Sequence, residues 1–504
     1  MLPHILTLDL GTAGCKVVVF SIEGEIIGSG YDSYPISQQH AGWVEQDPEA
    51  WWASSIRASR EALRNSKIDS SAIEVIGVTG QMSGIVPLDK RGSPLRPSII
   101  WMDRRAVSQA ERLRKHLGGK YLYEITGHRI DPAFFAVKAM WIKENEPEIF
   151  KRTHIFLMPK DYLRFRLTGL FATDHGDASG SMLLDLRKKD WSSKLLAELD
   201  IPPEKLPILK RPNEIAGDIS AEASRLMGLP TDTPVTVGSG DAICATLGAG
   251  VSEEGVCHDV TGTSTIASVC ADEPVIDRKM RVITNCYGVE GKWLIEAPSS
   301  TSGAILNWFK DCFAGEEASI AGKTGRDVFE LLSEEAAHIK PGADGLMLLP
   351  YFQGERSPMW DPEARGVIAG LTLAHTKSHA IRGIFESTSY LLRDLIETIE
   401  DLGISVKEVR ATGGGSKSRF WLQTKADVTG RNIKSLKVRE TSPLGAMILA
   451  SCAVHYYRDT REAIENVLKV EEIFEPDRSL HDLYSQNFSI YKEIYQRMKG
   501  IRFG

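Results

Sequence analysis

Four glycine-rich stretches of this chain carry the residue types needed to hold phosphate: DLGTAGCK (9–16), GSGDAICATLGAG (238–250), TGTST (261–265) and ATGGGSKS (411–418). Backbone N–H groups approach an anion closely only where side chains are small, so a glycine turn flanked by hydroxyls can cradle a phosphate. Any one of them alone reads as an ordinary turn. Taken together, with hydroxyls beside the glycines in three and an aspartate at a strand end in two, they point to phosphate and Mg2+ binding. The pattern GxxxxGK[ST] is absent from the sequence, so the cradle is not a P-loop.

Asp241 lies just past an apparent strand, TPVTVGSG, with glycines before it that let a substrate come close. Phosphoryl transfer to an alcohol needs the hydroxyl placed in line, its proton accepted, and the phosphate charge offset by metal and donors. A cleft aspartate fits the proton-accepting role; a carboxylate capping the following helix is the competing reading. Asp9 has the same two readings, with water-mediated metal binding preferred because the turn after it suits phosphate. His375 and His379 stand four apart, but Thr376 reads as the cap of a helix between them. His375 then falls outside the helix, which argues against a shared metal.

The elements that must position these groups follow from periodicity. In HILTLDLGTAGCKVVVF (4–20) apolar residues resume at once after the turn, which predicts a hairpin whose bend carries Asp9, Gly11, Thr12, Gly14 and Lys16. The same plan recurs at VCHDVTGTSTIASVCA (256–271), and each hairpin is followed by mixed strand and helix. Two such halves predict a pair of α/β domains whose turns face each other across a cleft. Between them, Asp47 reads as an N-cap with Pro48 at the first helical position, and Thr376 as the cap of a long helix that Gly403 ends.

At 504 residues the chain exceeds one core, and its net charge of -7 with scattered lysine and arginine offers no basic face for nucleic acid. Its seven cysteines are odd in number, lack a CxxC pair and read as small buried hydrophobes of a reduced compartment. The N-terminus runs straight into a strand, and no stretch reaches the roughly 18 uncharged apolar residues of a membrane span. A cytoplasmic location without a membrane partner is expected.

The chain resembles the FGGY family of carbohydrate kinases, in the sugar-kinase, Hsp70 and actin superfamily, and is closest to its xylulose kinase-like members. The resemblance is carried by DLGTAGCK, GWVEQDPEAWW (42–52), GVTGQMSG (77–84), IIWMDRRA (99–106), RIDPAFFAVKAMWIKEN (129–145), TDHGDASGSMLLDL (173–186), GSGDAICATLGAG, TGTST, GERSPMWDPEARGVIAGL (354–371), ATGGGSKSRFWLQTKADVTG (411–430) and ETSPLGA (440–446). It implies that Asp241 is the general base, that Asp9 holds Mg2+ through water, and that Gly11, Thr12 and Lys16 lie under the transferring phosphate. Gly262, Thr263 and Ser264 would form a second phosphate turn. Gly414, Gly415 and Ser418 would approach the adenosine, with Gly303 and Asn307 on the other wall. Met82, Ser83, Trp101 and Asp103 would face the sugar; core packing is the alternative for Trp101.

Two departures bear on the acceptor. Where xylulose kinases typically read QMHG, this chain has Ser83, and Ala242 stands where many relatives have asparagine or glutamine. Lost donors imply a different hydroxyl pattern, since a substrate polar group buried unpaired costs about 1–3 kcal/mol. Ala380 and Gly383 also stray from the family pattern, within a helix that can accommodate small residues.

The expectation is therefore an ATP-dependent sugar kinase built of two actin-like (ribonuclease H-like) α/β domains, 1–250 and 251–504, flanking an ATP/sugar cleft. It would use ATP and Mg2+ and phosphorylate a hydroxyl of a ketopentose or related polyol. Gluconate, glycerol and a tetritol are the alternative acceptors. A catalytically idle ATP- and sugar-binding sensor is the rival, opposed by the presence of Asp241 beside intact phosphate turns. A chaperone-like or filament-forming ATPase would need an appended domain or inserts and leaves WMDRR without a role. The partner is a small sugar or polyol; apolar faces of the C-terminal helices would suit a homodimer, and a core assignment explains them equally well.

Overall fold

The computed structural model describes residues 2–501. Two seven-stranded sheets carry the architecture, and their plans match strand for strand. In the first, the order is Ile215–Asp218, Pro234–Thr236, Ile73–Gly80, His4–Leu10, Gly14–Ser21 and Ile26–Ser33, with the short Ser239–Gly240 also paired to Ile73–Gly80. In the second it is Val470–Phe474, Asn432–Leu436, Val406–Thr412, Gly255–Thr261, Thr265–Ala271 and Trp293–Pro298, with Ile283–Cys286 added at the edge. Each sheet begins with an antiparallel hairpin whose first strand also runs parallel to a later strand.

The opening strands are apolar on both faces because both faces are covered. Leu6, Leu8, Leu10, Val17 and Val19 meet Trp51, Trp52, Ala58 and Ala62 of the helix Pro48–Ser66. Ile5, Val18, Phe20 and Val75 instead meet Leu444, Met447 and Ile448 of the helix Thr441–Ala453, which comes from the second half of the chain. That helix crosses the helix Asp241–Gly248 at very short range. A Cβ on Gly248 would lie 2.0 Å from the Thr441 carbonyl oxygen, and one on Gly445 1.9 Å from that of Cys244. Only glycine fits at this crossing, which joins the two halves.

The expected caps form as read. Asp47 accepts the Glu49 N–H at 2.9 Å with Pro48 opening the helix, and Thr376 caps Lys377–Glu400 in a reciprocal box with His379. Both His375 and His379 accept backbone N–H groups at Nδ1, and their Nε2 atoms face the Asp344 carbonyl and carboxylate. The pair is thus engaged in local turn and cap bonds. All cysteines are free, and only Cys312 is exposed. No helix among the described residues is long and apolar enough to cross a membrane.

Register brings the chemistry to one edge. Gly80 lies beside Leu10 in the parallel pair and beside Gly240 in another, so the Gly11 turn, Met82–Ser83 and Asp241 all follow the carboxyl ends of neighbouring strands. In the second sheet Val260 pairs with Thr412, which places the Gly262 and Gly414 turns together. Clefts at the carboxyl ends of parallel strands are the usual ligand positions in α/β sheets.

Candidate active site

Asp9 and Lys16 face each other across the first hairpin, and the turn between them is closed by the Gly11 N–H to the Gly14 carbonyl at 3.0 Å. Gly11 is held from outside by the Tyr34 hydroxyl and the Gln81 amide, both donating to its carbonyl. Asp9 is half-buried, and its Oδ1 is buried without a hydrogen-bond partner among the described residues. Burial pushes its carboxyl up to about 6 against the opposing pull of Ser442 and Lys16. An orphaned, hard carboxylate oxygen beside a glycine turn is a fitting donor for Mg2+, which is commonly bound by one or two carboxylates together with waters and phosphates.

Asp241 opens its helix as the first residue, and Gly240 occupies the cap position without a side-chain bond. The Asp241 Oδ1 accepts its neighbour's N–H, from Ala242, at 2.8 Å, and no cation pairs with it among the described residues. Burial, then the charge of Asp9, push its carboxyl up to about 7. Directly upstream, the Ser239 hydroxyl donates to Asp174 at 2.6 Å. Asp174 in turn lies 3.1 Å from the Lys160 ammonium, in a fully buried cluster with Asp161, Arg164 and Asp177. Sequence reasoning missed this cluster, because a buried ion network and a solvated charge run look alike as a string of letters.

Opposite these groups, Met82 packs on Gly240 and Gly180, and Ser83 sits beside it in a left-handed conformation, φ 61. Trp101 is 44% exposed and not a core residue; its indole N–H donates to the Thr12 hydroxyl at 2.9 Å. Asp103 departs from the expectation that it faces the sugar. It is fully buried, and its oxygens are taken by the Val44 N–H at 2.5 Å and by the Arg105 guanidinium at 2.8 and 3.0 Å. Its carboxylate braces the turn that presents Trp101. Lys138 and Glu296, neither expected from sequence, also belong to this region. Glu296 accepts from the Asn285 amide at 2.8 Å, and Asn285 accepts from His128 and Ser179 of the first half. Burial pushes the Glu296 carboxyl up to about 7.

In the second half a cavity of 860 Å³ is lined by Gly262, Thr263, Gly303, Asn307, Gly414, Gly415 and Ser418, so these expected nucleotide residues come together. Ser264 lies outside the lining, and its carbonyl accepts the Gly262 N–H at 2.9 Å to close the turn. Gly413 has φ +76, and a Cβ there would lie 2.5 Å from the Thr261 carbonyl oxygen, so glycine is required for the two turns to touch. Ser418 caps the next helix by accepting the Trp421 N–H at 3.2 Å. Beneath the turns, Lys425 reaches Asp259 at 2.5 Å and Thr261 at 2.6 Å, all fully buried. Asp259 thus has the cation partner that the Oδ1 of Asp9 lacks. Phe329, Phe420 and Arg439, not expected from sequence, complete the cavity wall.

The sequence model of the FGGY family of carbohydrate kinases, N-terminal domain, matches residues 4–248, and that of its C-terminal domain matches residues 259–454. The chain belongs to this family. It is a carbohydrate kinase, a phosphotransferase with an alcohol group as acceptor, and the expected pair of actin-like α/β domains is borne out. The kinase is 32% identical over 498 residues to a xylulose kinase of Bacillus subtilis, covering 99% of this chain and 98% of that one. It superposes with TM-score 0.92 at 27% identity on a ligand-bound xylulose kinase from Lactobacillus acidophilus, covering 99% of each chain. A gluconate kinase from Lactobacillus acidophilus gives the same TM-score, 0.92 at 27% identity, over 100% of this chain and 99% of its own. Fold likeness therefore identifies the kinase without choosing its acceptor. ATP is the phosphate donor of the family and a small sugar its substrate.

Proposed function

We propose that this kinase transfers the γ-phosphoryl group of Mg-ATP to a hydroxyl of a ketopentose, xylulose-like, or of a related polyol. The observation that carries the reading is Asp241: a carboxylate with no cation partner among the described residues, at a helix start, beside Asp9 and at the same sheet edge as the first phosphate turn. Asp241 takes the proton from the acceptor hydroxyl. Gly11, Thr12 and Lys16 hold the transferring phosphate, and Gly262, Thr263 and Ser264 hold the others. Asn307, Gly303, Gly414, Gly415 and Ser418 receive the adenosine. Asp9 would hold Mg2+, which when bound offsets phosphate charge.

Met82, Ser83 and Trp101 face the acceptor, with Asp103 bracing Trp101 from below. The Trp101 to Thr12 bond joins the acceptor wall to the phosphate turn, so closing the halves about the Gly248 and Gly445 crossing excludes water from both. The halves divide at 250/251 and the enzyme works in the cytoplasm; the apolar face of the C-terminal helix that would suit a homodimer is packed in the protein's own core through Tyr484, Phe488, Tyr491 and Tyr495. The test is ADP release with Mg-ATP across pentuloses, hexuloses, polyols and aldonates, run beside Asp241→Ala. One acceptor should stimulate turnover and the variant should abolish it. ATP binding with no stimulation by any acceptor would favour an idle sensor; best turnover with gluconate, glycerol or a tetritol would replace the ketopentose.

A further inference from the structure

Lys138 is a fully buried lysine on the helix Phe135–Asn145, set among apolar neighbours. No carboxylate pairs with it among the described residues; its ammonium donates instead to two backbone carbonyls, of Ser83 at 2.8 Å and Ile100 at 2.9 Å. Stripping an ammonium of water costs several kcal/mol, and a methionine would fill the same space without that cost. Burial pushes the Lys138 ammonium down to about 7, with Asp103 and Asp131 opposing and Arg104 and Arg105 adding to the shift. Packing therefore does not account for this lysine.

The two carbonyls do. Ile100 accepts the Asp103 N–H at 3.1 Å, closing the turn that presents Trp101, and Lys138 binds the same oxygen. Ser83 sits at φ 61, a conformation that is strained for a non-glycine residue and persists only where its surroundings hold it. Ser83 and Trp101 come from separate segments, and the Lys138 nitrogen is bonded to both turns at once.

We propose that Lys138 is a positioning residue for the acceptor: it clamps the Met82–Ser83 turn to the Ile100–Asp103 turn and so sets the spacing of the pocket between Ser83 and Trp101. This rests on the acceptor-site reading given above. Lys138 itself bonds to neither phosphate turn nor the adenosine cavity and reaches the first turn only through the Trp101–Thr12 bond, so its influence falls more on the acceptor than on the nucleotide.

The test is Lys138→Met, which keeps length and removes every donor, assayed with the best acceptor of the panel and with the runner-up. The acceptor KM should rise about tenfold or more, the KM for Mg-ATP should stay within about twofold, and the preference between the two acceptors should shrink. Lys138→Arg, which keeps donors, should recover part of the acceptor KM, and it stands in if the methionine variant fails to fold. An unchanged acceptor KM and preference with a lower Tm would overturn the clamp alone. A wild-type enzyme that no acceptor stimulates would overturn the acceptor reading, and the clamp with it.

Discussion

Lys16 of the first phosphate turn and Glu440 at the head of a C-terminal helix meet at 2.6 Å across 424 residues of sequence. The pair spans the two halves of the kinase and occupies the amine that the proposed function assigns to the transferring phosphate. Both side chains are about a third exposed or more, 33% and 41%, so the pair is worth about 0–1 kcal/mol. Phosphate can therefore displace Glu440 at small cost.

Glu440→Gln should lower the KM for Mg-ATP, by no more than about fivefold given that energy. Lys16→Met should raise it by about tenfold or more. Steady-state KM measured at low and high salt separates competition from structure, because the Glu440→Gln gain should shrink as salt screens the pair. Equal losses in both variants would make the pair structural.

A base must be ionised to work. With Asp241 pushed up to about 7, kcat/KM for the acceptor should rise with pH to about 7 and then level. Asp241→Asn should lower kcat by about 10²–10⁴ and lose that acid limb. Stability runs the other way: a folded-state pKa above the ordinary 3.8 gives a contribution that is full below pH 4 and lost as pH rises through 7. Thermal melts at pH 8 should therefore place Asp241→Asn above the wild type.

Much of this site was legible because its parts are local in sequence. Turns, caps and hairpins depend on adjacent residues, so the Gly11 and Gly262 turns, the Asp47 cap and the duplicated plan could be read directly. What escaped are partners that the fold brings from afar. The family resemblance implies that Asp103 faces the sugar, yet Val44, 59 residues away, takes one of its oxygens. Lys138 has no role in the sequence until the fold sets the Ser83 and Ile100 carbonyls beside it. Glu296 joins the acceptor region only because strand and domain pairing carry it there.

The Lys425 and Asp259 pair gives a stability test free of catalysis. Both groups are fully buried at 2.5 Å, and removing one partner strands the other's charge. Lys425→Met should destabilise by about 3–5 kcal/mol in chemical denaturation. Adding Asp259→Asn should recover part of the loss, since the stranded charge is then gone. A double variant no more stable than Lys425→Met would locate the cost in packing instead.

The glycine crossing makes the last prediction. A Cβ on Gly445 would lie 1.9 Å from the Cys244 backbone oxygen, an atom that cannot swing aside as a side chain does, so Gly445→Ala must push two helices apart. One of them begins at Asp241, and the other packs on the first sheet beneath the phosphate turn. Overpacking of this kind costs about 1–3 kcal/mol, so Tm should fall. The adenosine cavity lies wholly in the second half, so ADP affinity by calorimetry should stay within about twofold while kcat drops, because the base and the phosphate turn no longer meet in register. Gly119→Ala, where nothing lies within 4 Å of the added carbon, is the control and should change neither. Loss of ADP affinity in step with kcat would show that the crossing supports the fold as a whole rather than the alignment of its halves.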